Sequence, residues 1–193
     1  MFKELVFGIG IAALSSIALA PAAIAQSTDA SEMTAEELEA LFKKQKTRGL
    51  VLAPTKQQET VVAKQEDTAP VKQDETYVEF SPEEQVNIQI TFDFDSAALR
   101  ADQKPKLATL CSVMQSVDVG LFRIVGHTDS SGSASYNERL SLLRAQEVKR
   151  HLVSDCGIAD ARLEAVGVGE QFPLDKADPR SDVNRRVEFQ ALS

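Results

Sequence analysis

Residues 121–152 read LFRIVGHTDSSGSASYNERLSLLRAQEVKRHL. The opening five, LFRIV, form a short, largely apolar run that suits a strand buried in a sheet. From Gly126 the text turns polar and glycine-bearing, and it then regains apolar residues at helical spacing. Ala145, Val148, Leu152 and Cys156 make one stripe. Ser135 and Glu138 offer a capping pair at its start, and Gly157 closes its end. A strand, an exposed loop and a helix from about Tyr136 to Asp155 are therefore expected in succession. The loop carries the carboxylate Asp129 and the helix carries the guanidinium Arg144.

Working outward, VNIQITFDFD (86–95) alternates apolar and polar side chains, as a strand with one buried face does. A helix follows, capped by Asp102 and ended by Gly120, with Leu107, Leu110, Cys111, Met114 and Val117 on its core side. Downstream, RLEAVGVG (162–169) reads as a third strand and QFPLDKADPRSDVN (171–184) as a loop. RRVEFQAL (185–192) reads as a fourth strand, with Val187 and Phe189 facing in and Glu188 and Gln190 facing out. The expected fold is α+β: a mixed four-stranded sheet covered on one face by helices, in the order βαβαββ.

Ahead of this domain the text changes character twice. Lys3, the apolar run LVFGIGIAALSSIALA and then PAAIAQ, with small Ala23 and Ala25, fit a secretory signal cleaved between Ala25 and Gln26. Retention of residues 1–25 as a membrane anchor is the other reading. Residues 26–80 are expected to be a flexible linker, polar and poor in large apolar residues. One short helix near 34–47 interrupts it, started by Thr34 and Glu37. The small apolar face of that helix (Leu38, Leu41, Phe42) predicts a marginal, solvated element. A second use of the region is a docking site for an envelope protein partner, through the helix and RGLVLAP (48–54).

The formal charge of −8 argues against nucleic acid as a partner. Cys111 and Cys156 are the two cysteines. In an exported chain they either form a disulfide between the two helices or pack as buried thiols. No H-E-x-x-H, G-x-S-x-G or cysteine–histidine arrangement is present, and His127 beside Asp129 is a weak acid–base or metal pair. No catalysis, cofactor or metal is expected; His127 is expected to buttress the loop by hydrogen bonding.

The segments ITFDFDSAAL, GHTDSSGSASYNERLSLLRAQEVKRHL, GVGE and NRRVEF, in that order, resemble the OmpA-like C-terminal domain family. The resemblance implies residues 81–193 to be a non-catalytic module that binds peptidoglycan through the diaminopimelate of the stem peptide. It implies a periplasmic, wall-associated location, at or near the outer membrane, and a part in envelope integrity. The family's TD-x-x-G aspartate falls on Asp129 and its L-S-x-x-R-A arginine on Arg144. Phe94 and Asp95 match F-x-F-D, and Arg185 and Arg186 match N-R-R. Thr128, Asn137, Leu140 and Ser141 fall where relatives line the groove.

The chemistry also stands on the residues themselves. Diaminopimelate ends in an ammonium and a carboxylate on one carbon, so it needs a fixed anion beside a fixed cation. Asp129 can accept from the ammonium, and Arg144 can clamp the carboxylate with two parallel N–H bonds, a fork that lysine lacks. Asn137, Leu140, Ser141 and Arg144 share one helical face. Gly126 and Gly132 are expected to let the loop turn and the ligand approach. Arg185 shares strand parity with Val187 and Phe189 and so ranks above Arg186. The plain alternatives are an Asp129–Arg144 salt bridge, a solvated polar helix face, and edge charges at Arg185 and Arg186.

Overall fold

In the computed structural model, which describes residues 29–52, 77–93 and 95–192, the chain runs α1 (Ala35–Leu52), β1 (Val86–Ile88), α2 (Ala108–Ser116), β2 (Phe122–His127), α3 (Ala134–Ser154), β3 (Leu163–Gly169) and β4 (Val187–Ala191). The signal peptide with its Ala25–Gln26 junction, linker residues 53–76 and Phe94 lie outside the described residues. The strands form one sheet in the order β1-β4-β2-β3. β2 and β3 are parallel, with α3 as the crossover that parallel pairing requires. β4 returns between β1 and β2, antiparallel to both. This is the mixed α+β sheet that the hydrophobic patterning predicts.

The core lies between the sheet and the three helices. Val86, Ile88, Phe122, Ile124, Leu163, Val187 and Phe189 project from the strands into the same cluster as Leu107, Leu110, Met114, Ala145, Val148 and Leu152. The disulfide Cys111–Cys156 joins α2 to the turn after α3, with 5.7 Å between Cα atoms. It closes a 45-residue separation, worth about 4 kcal/mol if it acts by restricting the unfolded chain.

Helix α1 corrects the expectation of a solvated element. Its capping box forms as read: the Thr34 amide donates to the Glu37 carboxylate at 2.9 Å, and the Glu37 amide to Thr34 Oγ1 at 3.3 Å. Leu38 and Phe42, however, are fully buried, and the Phe42 ring meets Phe122 edge-on with centroids 5.1 Å apart. One turn further on, the buried Gln45 amide donates to the Glu84 carbonyl at 2.8 Å and accepts from the Ala191 amide at 2.8 Å. Lys44 pairs with the Glu84 carboxylate at 2.9 Å. The buried stripe is thus Leu38, Phe42, Gln45. Its last member is polar and satisfied by backbone, so hydropathy alone understates the face. That face is consumed by the chain's own core rather than offered to a partner.

Other boundaries shift for identifiable reasons. β1 stops at Ile88 because its partner β4 begins at Val187, opposite Ile88. Beyond it the Gln89 amide donates to Asp29 at 3.1 Å and the Thr91 amide to Gln103 at 3.1 Å. Asp102 caps no helix; it pairs with Arg100 at 2.9 Å, and a 3-10 turn over Lys104–Leu107 precedes α2. α2 ends at Ser116 with Val117 extended, ahead of Gly120. At α3 the cap is Ser133, whose hydroxyl accepts from the Tyr136 amide, in place of Ser135.

Glu188 and Gln190 do face away from the helices, yet both are fully buried. A strap from Tyr77 to Phe80 crosses them. The Tyr77 hydroxyl donates to Glu188 at 3.0 Å, and Gln190 donates to the Val78 carbonyl at 2.7 Å. His127 lies in this layer too, with Nε2 at 3.1 Å from Glu188. Burial lowers its pKa despite the neighbouring carboxylate. Burial and the Glu188 charge push the Tyr77 phenol above its ordinary range. Tyr77 and Phe172 cover a second, smaller apolar cluster of Val125, Val166 and Val168.

Docking of α1 is expected to be energetically substantial. Phe42→Ala should destabilise the domain by about 3–5 kcal/mol, read as a lower urea midpoint. A loss below about 1 kcal/mol would mean that α1 is detached in solution.

Candidate functional site

The end of the sheet nearest the start of α3 is built around how closely that helix approaches β2 and β3. A Cβ at Gly126 would sit 2.1 Å from the Ser141 carbonyl oxygen, and one at Gly167 would sit 2.3 Å from the Leu142 amide nitrogen. Gly126 therefore admits the helix backbone, not a ligand as its position in the sequence suggests. At this range Ser141 Oγ accepts from the Gly169 amide at 2.9 Å. Asn137 donates to the Asp129 carbonyl at 3.2 Å and to the Glu170 carboxylate at 2.5 Å. Asn137 and Ser141 are both buried, so their polar atoms fasten the loop and β3 to α3.

The loop folds back as expected. The Thr128 amide donates to the Gly169 carbonyl at 2.9 Å and the Ser130 amide to the Pro179 carbonyl at 3.0 Å. The Ser131 amide donates to the Asp129 carboxylate at 2.8 Å, an Asx turn. Gly132 follows at φ +103°, a conformation that glycine adopts without strain. Thr128 is buried, and its hydroxyl has no partner among the described residues.

Asp129 takes Arg185, not Arg144, as its ion-pair partner. The Arg185 Nη1–Asp129 Oδ2 separation is 2.7 Å, and Arg185 Nη2 reaches Asp182 at 2.5 Å. Burial alone would raise the Asp129 pKa, but the donors Arg185 and Ser131 outweigh it and hold the carboxyl below its ordinary value. Arg186, one residue on, turns to the opposite face. It is buried there, donating to Asn87 at 3.1 Å and to the Phe172 carbonyl at 3.2 Å. Arg186, read from sequence as a ligand contact ranking below Arg185, thus lies away from Asp129 and Arg144.

Arg144 stands alongside this pair with its charge uncommitted. Nε donates to the Ser96 carbonyl at 3.2 Å, and the guanidinium lies over the Phe92 ring, 4.7 Å from its centroid. No carboxylate lies within ion-pair distance of it among the described residues. Burial lowers its pKa. The nearby Arg185 charge acts in the same direction, against Tyr136 and Asp129. The segment before α2 is clasped over this region: the Tyr136 hydroxyl donates to Asp95 at 2.6 Å. Asp95 holds φ +51°, the left-handed region, which aspartate tolerates better than most residues. Leu140 is partly exposed on the helical row of Tyr136 and Arg144.

The structure thus gathers Asp129, Arg144, Arg185, Asp95 and Leu140 at one end of the sheet, with Thr128, Asn137 and Ser141 in the layer beneath. It adds Phe92, Ser96, Tyr136 and Asp182, none of which was singled out from sequence. Tyr136 was findable, since 136, 140 and 144 step by one helical turn each. Phe92 stands two residues before Phe94 in the alternating run of the sequence.

Residues 91–186 match the OmpA family. The chain is 38% identical over 107 residues to outer membrane porin F of Pseudomonas fluorescens, covering 53% of this chain and 32% of that protein. It is 34% identical over 108 residues to outer membrane protein A of Bordetella avium, covering 55% of each. Among solved structures it is similar to the peptidoglycan-associated lipoprotein from Burkholderia pseudomallei, at 32% identity and a TM-score of 0.44. That match covers 52% of this chain and 86% of the other. The chain therefore spans about a third to a little over half the length of the two curated relatives.

Removing Arg185 isolates the electrostatics of Asp129. In Arg185→Ala the Asp129 pKa should rise, because burial then acts against fewer donors. A carboxyl-carbon NMR titration of wild type and variant measures this; an unchanged value would show that the ion pair is absent in solution.

Proposed function

This chain carries an OmpA family domain, and on that footing we propose that it binds peptidoglycan non-covalently, taking the zwitterionic end of diaminopimelate between Asp129 and Arg144. The observation that carries the reading is the uncommitted guanidinium of Arg144, held by Ser96 and Phe92 beside a carboxylate that stays ionised. The ligand's carboxylate takes the free edge of Arg144 through paired N–H bonds. Its ammonium donates to Asp129, whose two oxygens have acceptor capacity beyond Ser131 and Arg185. Arg185 keeps that carboxylate aimed and adds positive charge for the ligand's anion. The layer beneath, Asn137 and Ser141, fixes the spacing between the two charged groups.

Recognition of one amino-acid terminus gives modest affinity, and the repetition of stem peptides along the wall supplies retention by high local concentration. The reading is of binding alone, by a periplasmic protein that contributes to the integrity of the envelope.

The test is co-sedimentation of the full chain with purified sacculi. Wild type should pellet, and Arg144→Ala, Arg144→Lys and Asp129→Ala should each remain in the supernatant. The Arg144 variants should hold thermal midpoints within a few degrees of wild type. Pelleting by both Arg144 variants at the wild-type level would overturn the assignment. Binding should weaken with salt, since the contacts are charged. The Asp129 pKa is depressed, so the ionised form persists through mildly acidic pH. Pelleting should fail only as pH falls through that lowered value.

A further inference from the structure

Cys111 on α2, His151 in the last turn of α3 and Cys156 just beyond it each place one ligand atom within 4.8 Å of the others. The cluster is remote in sequence from the Asp129 loop and plays no part in the binding described above. His151 Nε2 lies 3.9 Å from Cys156 Sγ, and its Nδ1 lies 2.8 Å from the Asp155 carboxylate. Asp155 is fixed in turn by Lys104 at 2.7 Å and by the Ser154 hydroxyl at 2.8 Å. A carboxylate on Nδ1 favours the tautomer with its proton there, leaving the Nε2 lone pair toward the sulfurs. The disulfide itself does not require a histidine oriented in this way.

We propose that, when a dithiol reductant opens the Cys111–Cys156 bond, Cys111, His151 and Cys156 bind one zinc ion that re-fastens α2 to α3. The chemistry balances in two steps. The dithiol gives two electrons and two protons to the protein disulfide, so the S–S bond breaks, two protein thiols form and the reductant closes its own disulfide. Zinc then displaces both thiol protons, because thiolate is the ligand form. Tetrahedral zinc, with bonds of about 2.3 Å to sulfur and about 2.0 Å to nitrogen, sets its ligand atoms roughly 3.5–3.8 Å apart. The His151–Cys156 distance already approaches this, so the principal movement is separation of the two sulfurs. Three protein ligands leave the fourth position to water. The Asp155 carboxylate holds the far nitrogen of His151, as a carboxylate or carbonyl usually does for a zinc-binding histidine. Both cysteines are partly exposed, so reductant and metal can reach them.

The experiment uses the full chain, reduced with a dithiol and freed of it anaerobically by gel filtration. Zinc is titrated against a chromogenic chelator, and cobalt serves as the spectroscopic probe. One zinc per reduced chain is expected, together with a thiolate-to-cobalt charge-transfer band and the visible bands of a tetrahedral site. The oxidised chain should bind none. His151→Gln should weaken zinc binding by at least about tenfold, and Asp155→Asn by about 10–100-fold, the range when the hydrogen-bond partner of a metal ligand is lost. Both variants keep the disulfide, so their fold is checked in the oxidised state by circular dichroism. Equal affinity in wild type and His151→Gln would overturn the site, as would zinc taken up by the oxidised chain. A reduced chain that unfolds and does not refold with zinc would overturn it too.

Discussion

The distance between α3 and the strands beneath it is the constraint on which the rest of the molecule depends. Gly126 and Gly167 present bare backbone to the helix, at separations where any side chain would overlap it. Only at that separation does Ser141 reach the Gly169 amide and Asn137 reach the Asp129 carbonyl. These two bonds fold the loop back over the start of α3. Arg144, two turns further along, then emerges level with Ser96 and the Phe92 ring. A side chain at either glycine would lift the helix, and the carboxylate and guanidinium would separate with it.

The charged groups at this end of the sheet contribute little to stability. The Asp129–Arg185 pair is nearly half open to solvent on the arginine side, where ion pairs are worth little. Burial of Phe42, Phe122 and Phe189, and the covalent tie between Cys111 and Cys156, hold the fold together. The site can therefore carry a left-handed aspartate, Asp95, opposite Tyr136 and, on α3, an arginine with no carboxylate at ion-pair distance among the described residues, arrangements that do nothing for folding on their own.

Much of this was legible in the sequence, and the failures share a cause. The strand cores, the apolar stripes of α2 and α3 and the glycine after α3 follow from periodicity, which reports burial directly. What escaped was polar groups satisfied at long range. Gln45 completes the buried face of α1 because Glu84 and Ala191 supply its partners, 39 and 146 residues away. Glu188 and Gln190 alternate as outward residues should, but nothing local shows that the Tyr77 strap will cover them. Asp129 and Arg144 do lie at the same end of the sheet, though not as an ion pair. Which cation the aspartate holds depends on where β4 returns, and Arg185 arrives from 56 residues downstream. Ser133 displaces Ser135 as the cap because the turn through Gly132 delivers it first.

The strap also bears on how the domain is divided. The match to the OmpA family runs from residue 91 to residue 186, limits that exclude β1, α1, the strap and every residue of β4. A fragment cut there would keep α3 over two parallel strands and leave the β2 edge open to any neighbouring chain. Restoring β4 without residues 77–80 would close that edge but bare the Glu188 and Gln190 side chains on a face built to be dry. The smallest piece worth expressing is therefore set by which buried polar groups have partners, and it begins well upstream of where the family match starts.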